Sequence, residues 1–373
     1  MKNLFSALIF SDTYGSEPIE ITKERTLASI PFAGRFRTVD FVLSSLVNAD
    51  VSNVAVITKR NYASLEDHLG SGAHWDLDHR NSRLRILSPF FKTKNNNEAF
   101  MARGRLDALR SVQVYIKSIK EEYVVLTNGN LIANVDFDAV FSSHIQSGAD
   151  ITVVYGDTVS TSSRDIILDM DASGRVNEVT YSDGKGECNN VSLNVYVLKR
   201  DFLLDIISKA DAYDYYNFEN HVLIPGAKEM KIIGYKHEGY ARIIRSVADY
   251  YDTSMEMLSR DVRGEVFNPD RPVITRPMDS VPVLYEYNAK IENSLIADGC
   301  RVDGTVKNSV IFRNVVIETG AVVENCIIMQ NCVIGRDSVL KSVVSDKNTV
   351  ISSNKQLIGD EKYPYVISKG QNI

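Results

Sequence analysis

The chain lacks any stretch of roughly eighteen apolar residues, so it offers no transmembrane helix and no membrane partner. No small-residue cleavage site follows the apolar start MKNLFSALIF, and a soluble cytoplasmic protein is expected. The four cysteines, Cys188, Cys300, Cys326 and Cys332, contain no C-x-x-C pair, which argues against a zinc site and against a secreted disulfide framework. Free thiols suit the cytoplasm. A basic excess is also missing: the net charge of −6 disfavours a nucleic-acid binder, whose affinity depends on neutralising phosphates. Locally the balance reverses, because His79 to Arg110 holds eight Lys or Arg against Glu98 and Asp107 alone.

At 373 residues there is room for two domains, and two hydrophobic periods divide the chain. In the first part, the strand-like runs LFSALIF, VSNVAVIT, EYVVLT, ADITVVY and VSLNVYVL alternate with the helical patterns TVDFVLSSLVNAD, LDALRSVQVYIKSI and FDAVFSSHIQSGA. That is the pattern of an α/β domain with a mostly parallel, covered sheet. Beyond residue 285, Val310, Val316, Val322, Ile328, Ile334 and Leu340 recur every six residues, the period of a hexapeptide β-helix. Three hexapeptides per coil would stack Val316 under Ile334, Val310 under Ile328 and Val322 under Leu340. Small or amide residues stand two positions earlier, at Asn308, Asn314, Gly320, Cys326, Cys332 and Ser338, and the two cysteines read as inward packing residues. The expected organisation is an α/β domain over 1–241, a Pro-rich bridge over 242–284 and a β-helix over 285–373.

The run IPFAGRFRTVDFVLSSLVNADVSNVAVIT, Ile30 to Thr58, followed by LEDHLGSGAHWDLD, resembles bacterial glucose-1-phosphate adenylyltransferase (ADP-glucose pyrophosphorylase). The resemblance covers essentially the whole chain. It implies a Rossmann-like nucleotidyltransferase domain followed by a left-handed β-helix, and a reaction joining ATP to glucose-1-phosphate with release of pyrophosphate. Such chemistry needs a glycine-rich phosphate loop, basic side chains and two carboxylates for Mg²⁺.

Each device departs from the family pattern. The Ala-Gly-Gly-x-Gly-x-Arg-Leu loop appears as Ala7-Leu8-Ile9-Phe10 followed by SDTYGSEPIEIT, with Gly15 as its one glycine and with bulky Phe10 and acidic Asp12 and Glu17 in the way of a triphosphate. The Lys-Pro pair appears as Leu27-Ala28, and Gly-Thr-Ala-Asp-Ala as Gly104-Arg105-Leu106-Asp107-Ala108. The sugar-phosphate lysine is missing, with Lys185 a displaced candidate. Where the family has its two metal carboxylates, the resemblance puts Asn130, within Asn128-Gly129-Asn130, and Ile243. These losses beside an intact PFAGRFRTVDF run match the GlgD-type, non-catalytic subunits of the family.

Several residues have two open readings. Asn128 and Asn130 are turn residues at a strand end, or remnants of a ligand site. Trp75, Asp76 and Asp78 are a residual ligand loop or an interface anchor. Arg35 matches a position linked to activator response; with Arg37, Arg83, Arg85, Arg103 and Arg105 it forms a candidate anion site or a set of solvated arginines. All six histidines precede the β-helix, which weighs against a hexapeptide acyltransferase with a coil histidine as base.

The expectation is a regulatory, catalytically silent or impaired subunit in glycogen synthesis. It would have no cofactor of its own, Mg²⁺ being needed only in the catalytic partner. It would assemble with that catalytic adenylyltransferase subunit as a mixed tetramer and answer to a phosphorylated small-molecule effector. An active nucleotidyltransferase with substituted ligands and a purely structural scaffold are the alternatives.

Overall fold

The computed structural model describes residues 4–14, 19–58, 61–79, 82–88, 90–93, 96–159, 162–184, 186 and 188–373. Gly15, Glu17, Arg80, Lys94 and Lys185 lie outside them. The first strand, β1 (Phe5–Phe10), is buried at every residue. Phe5, Ala7 and Ile9 enter one hydrophobic core while Leu8 and Phe10 enter another, so the strand is covered on both faces. A continuous apolar run is what such a doubly covered strand requires.

Helix α1 (Thr38–Asn48) starts where the Asp40 carboxylate accepts from the Arg37 backbone N–H, and it leads to β2 (Asn53–Ile57) and β3 (Arg83–Leu87). The helical pattern after Gly104 divides at Val112 into α2 (Arg105–Ser111) and α3 (Gln113–Ser118). Then follow β4 (Tyr123–Asn128), β5 (Leu131–Ala133), α4 (Phe137–Ser147), β6 (Ile151–Val159), β7 (Ile166–Met170), β8 (Val176–Tyr181), β9 (Cys188–Lys199), α5 (Arg200–Tyr213), β10 (Ile232–Lys236) and β11 (Ala241–Ile243). Among the described residues the main sheet has nine strands, in the order β8-β7-β9-β4-β1-β2-β3 with β6 joining β9 to β10. Strands β1 to β4 run parallel, and β9 pairs antiparallel with β4. The carboxyl ends of β1 and β4 therefore open side by side, where ligand crevices form in such sheets.

The C-terminal domain is a left-handed β-helix of three five-stranded parallel sheets. Its register corrects the expected stacking. Val316 pairs with Val333, Val310 with Ile327 and Val322 with Val339, each seventeen residues on. One side of each of these coils is therefore a residue short, and the inward series runs Ile311, Ile317, Val323, Ile328, Ile334, Leu340, all fully buried. The small slot two residues earlier holds Ser309, Val315, Ala321, Cys326, Cys332 and Ser338, also fully buried. Asn308, Asn314 and Gly320 are instead corner residues with φ of 46°, 58° and 75°. Asparagine tolerates this left-handed region better than most side chains, and the corner amides stack, Asn314 donating to Asn331 at 3.2 Å and Asn331 to Asn348 at 3.0 Å.

The segment read as a bridge contains two helices, α6 (Val247–Glu256) and α7 (Arg260–Val266). Tyr250, Tyr251, Met257 and Val266 share a core with Phe32 and Phe41 of the α/β domain and with Val310, Phe312, Ile327 and Met329 of the β-helix. Tyr251 Oη donates to the Asn325 carbonyl at 2.7 Å, and Arg25 pairs with Asp346 across the seam at 2.8 Å with both side chains buried.

Candidate functional site

A cavity of about 570 Å³ opens at the carboxyl ends of β1 and β4, lined by Asp12, Tyr14, Arg105, Asn128, Asn194, Glu219 and Arg245 among others. Its shape has local causes. Asn194, at φ 59°, accompanies a bulge between β6 and β9 that turns its side chain toward the cavity wall. Glu219 begins a single π-turn, Glu219–Leu223, the kind of irregularity that re-aims a side chain.

Arg105 dominates this space. Its guanidinium is buried, donates to Glu219 at 2.7 Å and to the Asn128 side-chain oxygen at 3.0 Å, and lies over the rings of Phe10 and Tyr196 at 5.1 and 5.2 Å. Burial penalises its charge most, but Glu219, Tyr196 and Tyr14 together outweigh that penalty, so its affinity for the proton is raised. Arg105 is thus already neutralised. Arg245 is likewise paired, with Asp165 at 2.5 Å. The Tyr14 hydroxyl is held well above its ordinary pKa by burial and by Asp12, so it stays protonated.

Asn130 and Ile243 lie on adjoining chain segments, one register step apart. Strands β5 and β11 pair antiparallel, with Leu131 opposite Ile243. Asn130 is buried; its amide donates to the Ile244 carbonyl at 2.6 Å, and the Ile244 N–H donates back to the Asn130 carbonyl at 3.0 Å. Two carboxylates here would repel and need a cation between them, whereas an amide against a carbonyl closes the gap without one. The residues do not fit Mg²⁺: Asn130 presents its donor, and Ile243 has no donor atom. Among the described residues, no cluster of three His, Cys, Asp or Glu side chains could hold a metal. Gly129 between the amides has a packing reason, since an added Cβ would lie 2.7 Å from Ala28 Cβ.

The six candidate arginines do not converge. Arg83 and Arg85 are exposed on the edge strand β3, with Arg85 over the Tyr115 ring. Arg103 pairs with Asp107 at 2.8 Å and with Asp214 at 2.7 Å, beside the cavity rather than at an anion site. Arg35 is exposed, while Arg37 folds under α1, donating to the Ser29 carbonyl at 2.9 Å and Ser64 Oγ at 2.6 Å, both neutral acceptors. The Trp75 loop is also rearranged from expectation. Trp75 is fully buried in the core, edge-on to His68, which bonds Asp40 at 2.6 Å; it is inaccessible to a ligand or a subunit. Asp76 and Asp78 remain outside, with Asp76 bonded to His79 at 2.6 Å.

A second charged locus lies at the seam between the domains. Lys347, on a β-helix corner, is pushed down to about 7 by burial and then by Arg37 and Arg25, with Asp346 opposing. Arg37 is lowered to about 10, by burial first and also by Arg25 and Arg276. Among the described residues the Lys347 ammonium forms no ion pair, and Asp346 is already taken by Arg25. Sequence reasoning missed Arg25 and Lys347 here. Arg25 sits in the degraded loop and Lys347 in an irregular terminal coil, and no spacing rule links residues 322 positions apart.

Fold and cavity define a nucleotidyltransferase-type α/β domain coupled to a hexapeptide β-helix. Residues 6–231 match the nucleotidyl transferase family and residues 281–363 the GlmU-like C-terminal hexapeptide family. The glycogen biosynthesis protein GlgD of Bacillus subtilis (strain 168) is 32% identical over 368 residues, 99% of this chain and 96% of that protein. GlgD of Geobacillus stearothermophilus is 35% identical over 324 residues, 86% of this chain and 83% of that one. The chain belongs to the nucleotidyl transferase family, among the relatives of GlgD. Among the described residues, no helix is long and apolar enough to cross a membrane.

Proposed function

We propose that this chain acts in cytoplasmic glycogen biosynthesis as a regulatory, catalytically silent or impaired subunit of glucose-1-phosphate adenylyltransferase. It works beside a catalytic subunit that supplies the Mg²⁺ site, in a mixed tetramer. One observation carries the reading: the Asn130 amide is hydrogen-bonded to the Ile244 carbonyl where two carboxylates would hold the metal. Without that metal, several kcal/mol of transition-state stabilisation are forgone. The relatives named for glycogen biosynthesis support the pathway.

The regulatory half of the proposal rests on the seam. Arg25, Arg37 and Lys347 give a phosphorylated small molecule a crowded, partly desolvated cationic site bridging both domains. An anion there would pull the β-helix and α/β domain together and bias the assembly, which is allosteric coupling if partner affinity changes. The test is pyrophosphate release from ATP and glucose-1-phosphate by the isolated chain, by the catalytic subunit and by the mixture. The expected result is negligible turnover alone and an altered activator response in the mixture. Turnover near 1 s⁻¹ alone, the low end of enzyme rates, would favour an active enzyme with substituted ligands; an unchanged mixture would favour a scaffold.

A further inference from the structure

The end of α5 and the segment after it carry an aromatic shelf that the proposed function does not use. Tyr213 and Tyr215 stack at 5.5 Å and 24°, and Tyr215 stacks on His221 at 4.5 Å and 14°. The three rings form a column with Tyr213 at its outer end, 68% exposed. Tyr216, 41% exposed, stands beside it, backed by the Arg103 guanidinium at 4.9 Å and the edge of His221 at 5.4 Å. Rings braced from behind and left open in front lose little entropy on binding, and they present an apolar face with a polar tip.

Charge narrows the ligand. Arg103 is answered by Asp107 and Asp214, and Arg110 by Asp107 and Asp211. Both arginines beside the shelf are therefore already paired, and the Asp211 and Asp214 side chains, 47% and 71% exposed, repel polyanions. What fits is a neutral molecule with a flat C–H face for the rings and hydroxyls for the carboxylate and amide rim, which describes a pyranose. The shelf also continues inward. Tyr181 donates from its hydroxyl to the Asn220 side-chain oxygen at 2.7 Å, and Tyr181 and Asn217 both line the mouth of the strand-end cavity. A chain of rings would span shelf and mouth where a single sugar would not.

We propose that Tyr213 and Tyr216, rimmed by Asp214 and Asn220, form a surface subsite for an oligosaccharide of neutral pyranoses that leads into the cavity. It rests on the glycogen-biosynthesis reading only in the choice of α-1,4-linked glucose as the sugar. The test is calorimetric titration of the full chain with maltohexaose, cellohexaose and ATP. Maltohexaose is expected to bind, with affinity unchanged in roughly 0.5 M salt because no ion pair is formed. Tyr213→Ala should weaken it about tenfold, and Tyr213→Trp should retain it. Because Tyr213 is largely exposed, neither variant threatens the fold. The proposal is overturned if neither oligosaccharide binds, if Tyr213→Ala and Tyr216→Ala leave affinity unchanged, or if ATP rather than sugar is lost in these variants. It is equally overturned if the catalytic subunit protects the 213–221 segment from hydrogen exchange and maltohexaose does not compete. Binding of cellohexaose but not maltohexaose supports the subsite while counting against the glycogen reading, so the two fail separately.

Discussion

The strand-end cavity and the interdomain seam both collect arginines, yet they handle charge in opposite ways. In the cavity two arginines have carboxylates of their own, Arg105 with Glu219 and Arg245 with Asp165, while Arg164, also in the lining, is exposed to solvent. At the seam, Arg25 consumes Asp346 while Arg37 and Lys347 crowd in beside it with neutral acceptors or none. A buried charge costs several kcal/mol unless it is paired. Paired arginines such as Arg105 and Arg245 gain little from an anion, whereas Arg37 and Lys347, desolvated without carboxylate partners, gain by taking one. On the proposed reading, the difference would separate a silent catalytic site from the site of a phosphorylated effector.

The largest effect should come from breaking the cavity's self-sufficiency. Arg105→Ala leaves Glu219 without its partner and empties the space over Phe10 and Tyr196. Removing one member of a buried pair costs roughly 3–5 kcal/mol. Urea unfolding should show a loss of at least about 3 kcal/mol, and Arg105→Met combined with Glu219→Leu should recover most of it. A loss below about 1 kcal/mol would mean the pair is not holding the cavity together.

A smaller effect tests whether the amide replaced a cation site. Asn130→Asp removes the donor to the Ile244 carbonyl and sets a carboxylate against it, at a cost of roughly 1–3 kcal/mol. With Ile243→Asp added, the two carboxylates stand one register step apart, and Mg²⁺ should raise the melting temperature of the double variant while leaving the parent chain unchanged. A double variant indifferent to Mg²⁺ would show that the surrounding geometry, and not merely the two side chains, has moved away from metal binding.

Legibility in the sequence followed the range of the interactions. The strands of the α/β sheet announce themselves in runs such as FSALIF, because burial on both faces demands unbroken apolar residues. The six-residue period revealed the β-helix but misplaced its register, since coils with a five-residue side shift the inward position from Val316 to Ile317 and bring it back at Ile328. Asn130 was identified from its neighbours Asn128 and Gly129, but its bond to Ile244 depends on a strand pairing across 114 residues. Trp75 was misread because a lone tryptophan in a polar loop carries no mark of the pocket between Leu65, Leu69 and Leu77 that buries it. The seam was the least visible, for it joins Arg25, Arg37 and Lys347 through the packing of two domains.

The last prediction addresses that seam through its protons. Lys347 has its ammonium pushed down to about 7 in the folded chain, against 10.5 when unfolded. Between those values the unfolded chain holds a proton that the folded chain has released, so this group's contribution to stability rises with pH across the window and its penalty is complete below pH 7. Lys347→Met should therefore stabilise the chain most below pH 7 and progressively less toward pH 10. Inorganic phosphate favours the charged ammonium, so its binding should draw in a fraction of a proton at about pH 8, and affinity should fall as pH rises from about 7 to 9. Calorimetry in two buffers of different ionisation enthalpy reads that proton directly. Uptake that persists in Lys347→Met, or binding that Arg37→Ala leaves intact, would move the effector away from the seam and dissolve its contrast with the cavity.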